Sequence, residues 1–362
     1  MQSYKSISSH VRVVSQQFRT RSHGLQATST ARSCSSPWFS TSHLSQKRHA
    51  HARGIEYLQN HDPDLTDSQR TVREAISKVC SHFDDQYWST CEKDHRFPVE
   101  FQQAIAKDGW LGICMPSEYG GSDLGIAEAA TMMQTIAESG GAYAACSSVH
   151  MNIFGLEPVR KFGTNDQRQR MLTPLIAGDE RACFGVTEPN TGLDTLKLQS
   201  RAAKSSDGSY YTLSGSKIWT STAQVAEKIL ILVRTTPLDQ VKKRSQGLSL
   251  FYTDLNRDSV QVTEIPKMGR AAVDSNVLFF EDWKVPASDL IGSEGDGFKQ
   301  IMVGMNAERV LIAAEALGWA SLPSGALRSM PLTDKFSDAQ LARTKQFNIR
   351  LRRAGCSWKQ QD

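Results

Sequence analysis

The chain has 362 residues, 39% of them hydrophobic, enough for two or three packed domains rather than one. Its 12 Pro and 25 Gly exclude a collagen-like or low-complexity class, and no apolar run approaches the roughly 20 residues that a membrane-crossing helix needs. The net charge of +4 arises at the ends: residues 1–55 hold eight Lys/Arg and no acid, and residues 319–362 hold eight Lys/Arg against three acids. A basic balance of that kind gives no argument for nucleic-acid binding, which needs basic residues clustered on a folded face.

Residues 1–55 are rich in Ser, Arg, Gln and His. Lys5, Arg12, Arg19 and Arg21 interleave with Tyr4, Ile7, Val11, Val13 and Phe18, the pattern of a basic amphipathic helix. The arm therefore reads as a mitochondrial transit segment, which makes the mitochondrial matrix the expected location. The plain alternative is a tail without an address.

Residues 60–180 read as an all-α domain. Thr66-Asp67-Ser68-Gln69 is a capping box ahead of the apolar period of Val72, Ile76 and Val79, so a long helix is expected to about Trp88. Phe97-Pro98 opens a shorter one ending near Gly109-Trp110, and Pro116 to Asp123 is a Gly-rich loop. Helices are then expected over Ile126–Ser139 and Met151–Phe162, followed by one capped by Asn165 that ends before Asp179. Between 181 and 290 the pattern changes to short β-rich runs at Cys183–Val186, Tyr210–Leu213, Ile229–Val233, Leu248–Tyr252, Val260–Ile265 and Val277–Phe280. Turn signals such as Asp207-Gly208 and Ser214-Gly215 separate them, which describes a small antiparallel barrel or sandwich. The helical period returns after Gly297, in a first C-terminal helix assigned to 291–318. The fold class is α+β.

The seven cysteines are scattered without a CxxC pair, as reduced thiols are, and none stands out as a nucleophile. Asp94-His95 and His150 lack metal-ligand spacing. The Gly292, Gly295 and Gly297 cluster lacks the Lys-Ser/Thr ending of a phosphate loop and reads as a turn into a helix.

Four ordered motifs carry a resemblance. Phe184-Gly185-Val186-Thr187-Glu188-Pro189-Asn190-Thr191-Gly192-Leu193-Asp194 is followed some thirty residues on by Lys217-Ile218-Trp219-Thr220-Ser221. Val285-Pro286-Ala287 runs on to Leu290–Phe298, and Pro116-Ser117-Glu118-Tyr119-Gly120-Gly121 lies upstream. Together they resemble the acyl-CoA dehydrogenases over about residues 60–318. The resemblance implies FAD as cofactor, an acyl-CoA thioester as substrate, electron transfer flavoprotein as electron acceptor, and a homotetramer. It assigns Phe184, Gly185, Val186, Thr187, Gly192, Leu193, Trp219, Thr220 and Ser221 to the cofactor, with Thr187 at the pyrimidine edge, Trp219 beside the ring and Ser221 near N5. Those residue types suit a flavin, which needs polar partners at its edge and a flat apolar neighbour, although by themselves Thr187 and Trp219 also read as plain strand ends. Leu193 departs from the pattern: a Ser usually stands there and helps to bind CoA, and leucine donates no side-chain hydrogen bond.

On the helix after Gly297, Ile301, Met305, Glu308 and Ile312 fall on one face at 3.6 residues per turn. A carboxylate within an apolar stripe is either paired, with Arg309 or another partner, or poised as a base with a raised pKa. The resemblance favours the second: isovaleryl- and long-chain acyl-CoA dehydrogenases place their catalytic base at this helix position. It also implies that Asn306 and Arg309, with Leu193, contact CoA.

After Gly318 the resemblance stops, and the expected remainder of a C-terminal helical bundle is missing. Residues 319–362 read as a non-homologous tail. Codons for Phe336 to Leu351 exist that in a shifted frame give FGRPIGQNQAIQHPL, similar to the family's next segment, so a frameshift or wrong gene model is the expectation, with poor flavin retention and poor tetramer formation as its consequence. The competing readings are an acyl-CoA oxidase and a non-catalytic remnant that binds acyl-CoA without turnover.

Overall fold

The computed structural model describes residues 65–329, with side chains through residue 320; the arm over 1–55 and the tail beyond 329 lie outside the described residues. The first helix starts where the sequence places it. Thr66 accepts the Gln69 N–H and Gln69 accepts the Thr66 N–H, closing a reciprocal capping box at α1 (Asp67–Cys80). The helix does not continue to Trp88. Asp84 accepts the Tyr87 N–H at 2.8 Å and starts a separate α2 (Asp85–Lys93), so an N-cap ends one helix and begins the next.

Helices α3 (Val99–Lys107), α4 (Ile126–Glu138), α5 (Ala142–Phe154), α6 (Glu157–Phe162) and α7 (Asn165–Ala177) complete the N-terminal domain. The helix expected over Met151–Phe162 begins at Ala142 and is interrupted at Gly155-Leu156. Pro158, which has no N–H to donate, is placed in the first turn of the new helix, where none is required. The cap of α7 is Thr164, paired reciprocally with Gln167, and Asn165 is the first helical residue.

The middle domain is one sheet of seven strands: β1 (Ala182–Gly185), β2 (Arg201–Lys204), β3 (Tyr210–Ser221), β4 (Lys228–Arg234), β5 (Leu248–Asp254), β6 (Val260–Glu264) and β7 (Ser275–Pro286). The order is β1-β4-β2-β3-β7-β6, with β5 on the free edge of β4. Most pairings are antiparallel, as expected of a small β domain, but β1 runs parallel to β4. β2, with only Ala202 buried, gave no apolar signal in the sequence.

β4 explains how the domains meet. Leu230 and Leu232 join the helical core with Leu248, Leu250 and Tyr252 of β5, whereas Ile229, Ile231 and Val233 join the core on the opposite face of the sheet. A strand buried on both sides needs a continuous apolar run, which is what Ile229–Val233 is. α8 (Gly297–Ser329) then lies across the helical domain and extends past Gly318. A Cβ at Gly304 would stand 2.6 Å from the Phe154 carbonyl oxygen, and one at Gly318 would stand 2.4 Å from that of Gln134. Glycine at both points lets α8 approach the backbones of α5 and α4 more closely than any side chain allows.

One buried ion pair fixes the segments on which the motifs lie. Lys217, on β3, is fully buried and donates to Glu188 at 2.9 Å, to the Val186 carbonyl at 3.2 Å and to the Leu232 carbonyl at 2.7 Å. Glu188 also accepts the backbone N–H groups of Gln199 and Ser200 at 2.7 and 2.9 Å. Burial raises the Glu188 pKa, but the Lys217 ammonium and these donors outweigh it and hold the carboxyl below its ordinary value. Removing one partner leaves the other charged and unsatisfied, so Lys217→Met is expected to cost about 3–5 kcal/mol in urea unfolding.

Candidate functional site

The chain leaves β1 at Gly185, but Thr187 remains tied to the sheet because its carbonyl accepts the Ile218 N–H at 2.9 Å. At the next residue of β3 the pairing with β7 slips by one, between Ile218 and Thr220, and Trp219 takes φ +63°. A bulge of this kind re-aims a side chain. Here it leaves the Trp219 indole 58% exposed beside a half-buried Thr187. Thr220 faces the other way: it is fully buried, its carbonyl accepts from Asn276, and its hydroxyl has no partner. Ser221 is half-buried at the strand end. Phe184 packs edge-on against Phe154 of α5 at 5.7 Å between centroids, and Val186 is buried, so both serve the seam between sheet and helices.

Beyond the Pro189-Asn190 turn, no atom lies within 4 Å of where a Cβ of Gly192 would stand, and Leu193 is completely exposed. Asp194 is held by Arg244 at 2.8 Å. An exposed flat indole, a half-buried threonine at a strand end and an open glycine turn fit a flat heterocycle carrying a polar edge and a phosphate-bearing chain. Thr187, Trp219 and Ser221 are the side chains available to hold such a group.

Glu308 lies on α8 at the edge of the buried stripe rather than at its centre. The stripe runs Ile301, Gly304, Leu311, Ala314 and Gly318, and Ile312 is 39% exposed. The Arg309 guanidinium does not pair with Glu308; it donates to Asn306 at 2.6 Å, and both residues lie on the exposed face of the helix. Glu308 forms no hydrogen bond or ion pair among the described residues. Burial pushes its pKa up, against His150 and Arg309 and with help from Glu315.

Glu308, Ile312, Glu315 and Trp319 follow one another at spacings of four, three and four along α8 and so share a line down the helix. The last three border an open cavity of about 900 Å³ between α2, α5, α8 and the loop between β6 and β7. Trp88, Tyr143, Ser147, His150 and Arg270 complete its walls. His150 Nδ1 donates to Glu315 Oε1 at 2.9 Å, across the α5–α8 contact. Arg270 donates to Ser147 at 3.0 Å and to Ser221 and Ser275, each at 3.2 Å. Ser221 at the end of the indole-bearing strand is thereby connected to the helix pair that carries Glu308. Trp219 and Glu308 are not themselves in contact. Gly192, Leu193, Asn306 and Arg309 lie outside this cavity.

Ser147, His150, Arg270 and Glu315 were not identified from the sequence. Glu315 had a legible signal, seven residues after Glu308 on the same helical line; Arg270 had none, because a loop from another domain delivers it. The described cysteines are free, and burial raises the thiol pKa of Cys80, Cys91, Cys114 (to about 12), Cys146 and Cys183, which suits packing rather than nucleophilic attack. Among the described residues, no cluster of three or more His, Cys, Asp or Glu side chains could hold a metal ion, and no helix is long and apolar enough to cross a membrane.

The family model "Acyl-CoA dehydrogenase, N-terminal domain" matches residues 66–179, and "Acyl-CoA dehydrogenase, middle domain" matches residues 183–283. The chain is 30% identical to mitochondrial isovaleryl-CoA dehydrogenase of Pongo abelii over 70% of its own length and 60% of that protein. Among solved structures, the three-dimensional structure of butyryl-CoA dehydrogenase from Megasphaera elsdenii superposes with a TM-score of 0.69 at 25% identity, over 80% of this chain and 76% of that one. A structure from work on the electron transferring flavoprotein of Acidaminococcus fermentans superposes with a TM-score of 0.70 at 25% identity, over 82% and 77% of the respective chains. The chain spans 60–66% of the length of several curated relatives that it matches. A helical domain, a β domain and the start of a C-terminal helix follow one another in the order of that fold, and the chain belongs to the acyl-CoA dehydrogenase family.

Proposed function

We propose that the chain carries out α,β-dehydrogenation of an acyl-CoA thioester, with Glu308 as the base that removes the α-proton. The observation that carries this reading is Glu308 itself: a half-buried carboxylate with no partner, its pKa raised by burial, on the helix line that continues along the cavity. A carboxylate relieved of pairing and partly stripped of water is a stronger base toward a weakly acidic C–H than one in a salt bridge. FAD, held along Val186–Thr187 and Trp219–Ser221, would supply the hydride acceptor at N5 and pass electrons to electron transfer flavoprotein. The Trp219 indole forms a flat wall for the ring, and Thr187 and Ser221 offer hydroxyls to its edge. The Glu308 side chain receives the proton; its backbone N–H, in the interior of α8, stays within the helix. The Ser-rich, acid-free composition of residues 1–55 supports placing this reaction in the mitochondrial matrix.

Mixing the FAD-supplemented protein with acyl-CoA under anaerobic conditions should bleach the flavin absorbance. Glu308→Gln should slow that bleaching by about 10²–10⁴-fold; an unchanged rate would remove Glu308 from the mechanism. The rate should rise with pH as Glu308 ionises. The same raised pKa bears on folding. A carboxyl that binds its proton more tightly when folded adds stability at pH below its unfolded pKa, and this stability is lost as pH rises through the folded pKa. Glu308→Gln should therefore gain Tm relative to the parent at neutral pH and lose that advantage near pH 4. Leu193→Ser, which restores a donor on the exposed turn, should tighten thioester binding several-fold in calorimetric titration.

A further inference from the structure

The cavity between α2, α5 and α8, which Ile312, Glu315 and Trp319 border but Glu308 does not, holds a cation without a direct ion pair among the described residues. Arg270 is half-buried at a left-handed φ of 53°, and its three hydrogen bonds go to the hydroxyls of Ser147, Ser221 and Ser275. No carboxylate lies within ion-pair distance of it among the described residues. Lys267 on the same wall is likewise without an ion pair and donates to the Val273 carbonyl.

The acids around the cavity are committed elsewhere or stand apart. Glu315 is bonded to His150, Glu92 accepts the Ala272 N–H, and Asp85 begins α2 on another wall. Glu315, Asp274 and Glu92 act on Arg270 only at a distance, and burial outweighs them in lowering its pKa. A guanidinium stays charged under such conditions, and its planar fork matches a carboxylate in two parallel hydrogen bonds. Ser147 is buried and accepts from Arg270, which leaves its own O–H free to donate into the cavity. Between these polar groups, Trp88, Ile312, and the Tyr143 and Trp319 rings with centroids 5.6 Å apart give apolar surface long enough for a chain of methylenes.

We propose that this cavity receives an acyl group that ends in a carboxylate, anchored by Arg270 with Ser147 as a second donor, so that the substrate class is the mono-CoA thioesters of dicarboxylic acids. The aromatic wall covers the methylene stem. This rests on the reading of the substrate as an acyl-CoA, but not on Glu308 acting as its base.

The test compares adipoyl-CoA with hexanoyl-CoA, which share a six-carbon chain and differ at its far end. Binding is measured by calorimetric titration of the FAD-supplemented full chain carrying Glu308→Gln, in anaerobic buffer without an electron acceptor, so that repeated turnover does not interfere whichever residue is the base. Adipoyl-CoA is expected to bind about tenfold to a hundredfold more tightly, the range for a hydrogen-bonded charge pair. Adding Arg270→Met should bring the ratio of the two affinities to about one, and Arg270→Lys should retain part of it. Equal affinities in the parent, or a ratio that survives Arg270→Met, would overturn the proposal while leaving the thioester reading intact. If neither compound binds, both fall together. Should the Met variant fail to fold by circular dichroism, the parent ratio and the Lys variant decide.

Discussion

The ammonium of Lys217 buried against Glu188 is the interaction on which the site's frame depends. It ties together, through side chains, three stretches that backbone pairing alone holds only in part: the end of β1, the middle of β3 and the turn before β2. Two charges out of water are costly, and apolar residues of similar size often stabilise such a position as well or better. What the pair supplies is an unambiguous location. Four oxygen and nitrogen groups must be satisfied at one point, and only one register of β3 against the β1 end satisfies them. Thr187 and Trp219, one residue before Glu188 and two after Lys217, inherit that register.

A second constraint positions the carboxylate. α8 reaches its place because Gly304 and Gly318 allow it to lie on the carbonyls of Phe154 and Gln134. The contact sets the rotation of the helix, and with it the line of Glu308, Ile312, Glu315 and Trp319. The bond between His150 and Glu315 then holds that rotation against α5. Two residues without side chains and one polar pair together determine which way a reactive group faces.

Much of this was legible in the sequence, for local reasons. Capping residues, strand-length apolar runs and glycine turns act over a few positions, so the starts of α1 and α4, the run of β4 and the order of the domains could be read directly. The misreadings occur where a distant partner decides. The helix expected to reach Trp88 gives way to the Asp84 cap, and β2 is held by β3 with only Ala202 buried. Glu308 was centred on an apolar stripe because periodicity reports a face but not the neighbour that covers it. Thr220 sits among site motifs, yet the one-residue bulge at Trp219 turns it inward. The cavity charges, above all Arg270, come from a loop whose position follows from the β6–β7 pairing and from nothing nearer in the chain.

β4 has a further consequence. Because alternate side chains of one strand are committed to two separate cores, its amides cannot be freed by peeling away either layer alone. Hydrogen exchange at Leu230–Leu232 then requires the whole assembly to open, and the helical and β domains melt as a single cooperative unit despite their distinct architectures. A chain with two folds in sequence thus behaves thermodynamically as one, with the hinge of that unity lying inside a strand rather than in the connection between domains.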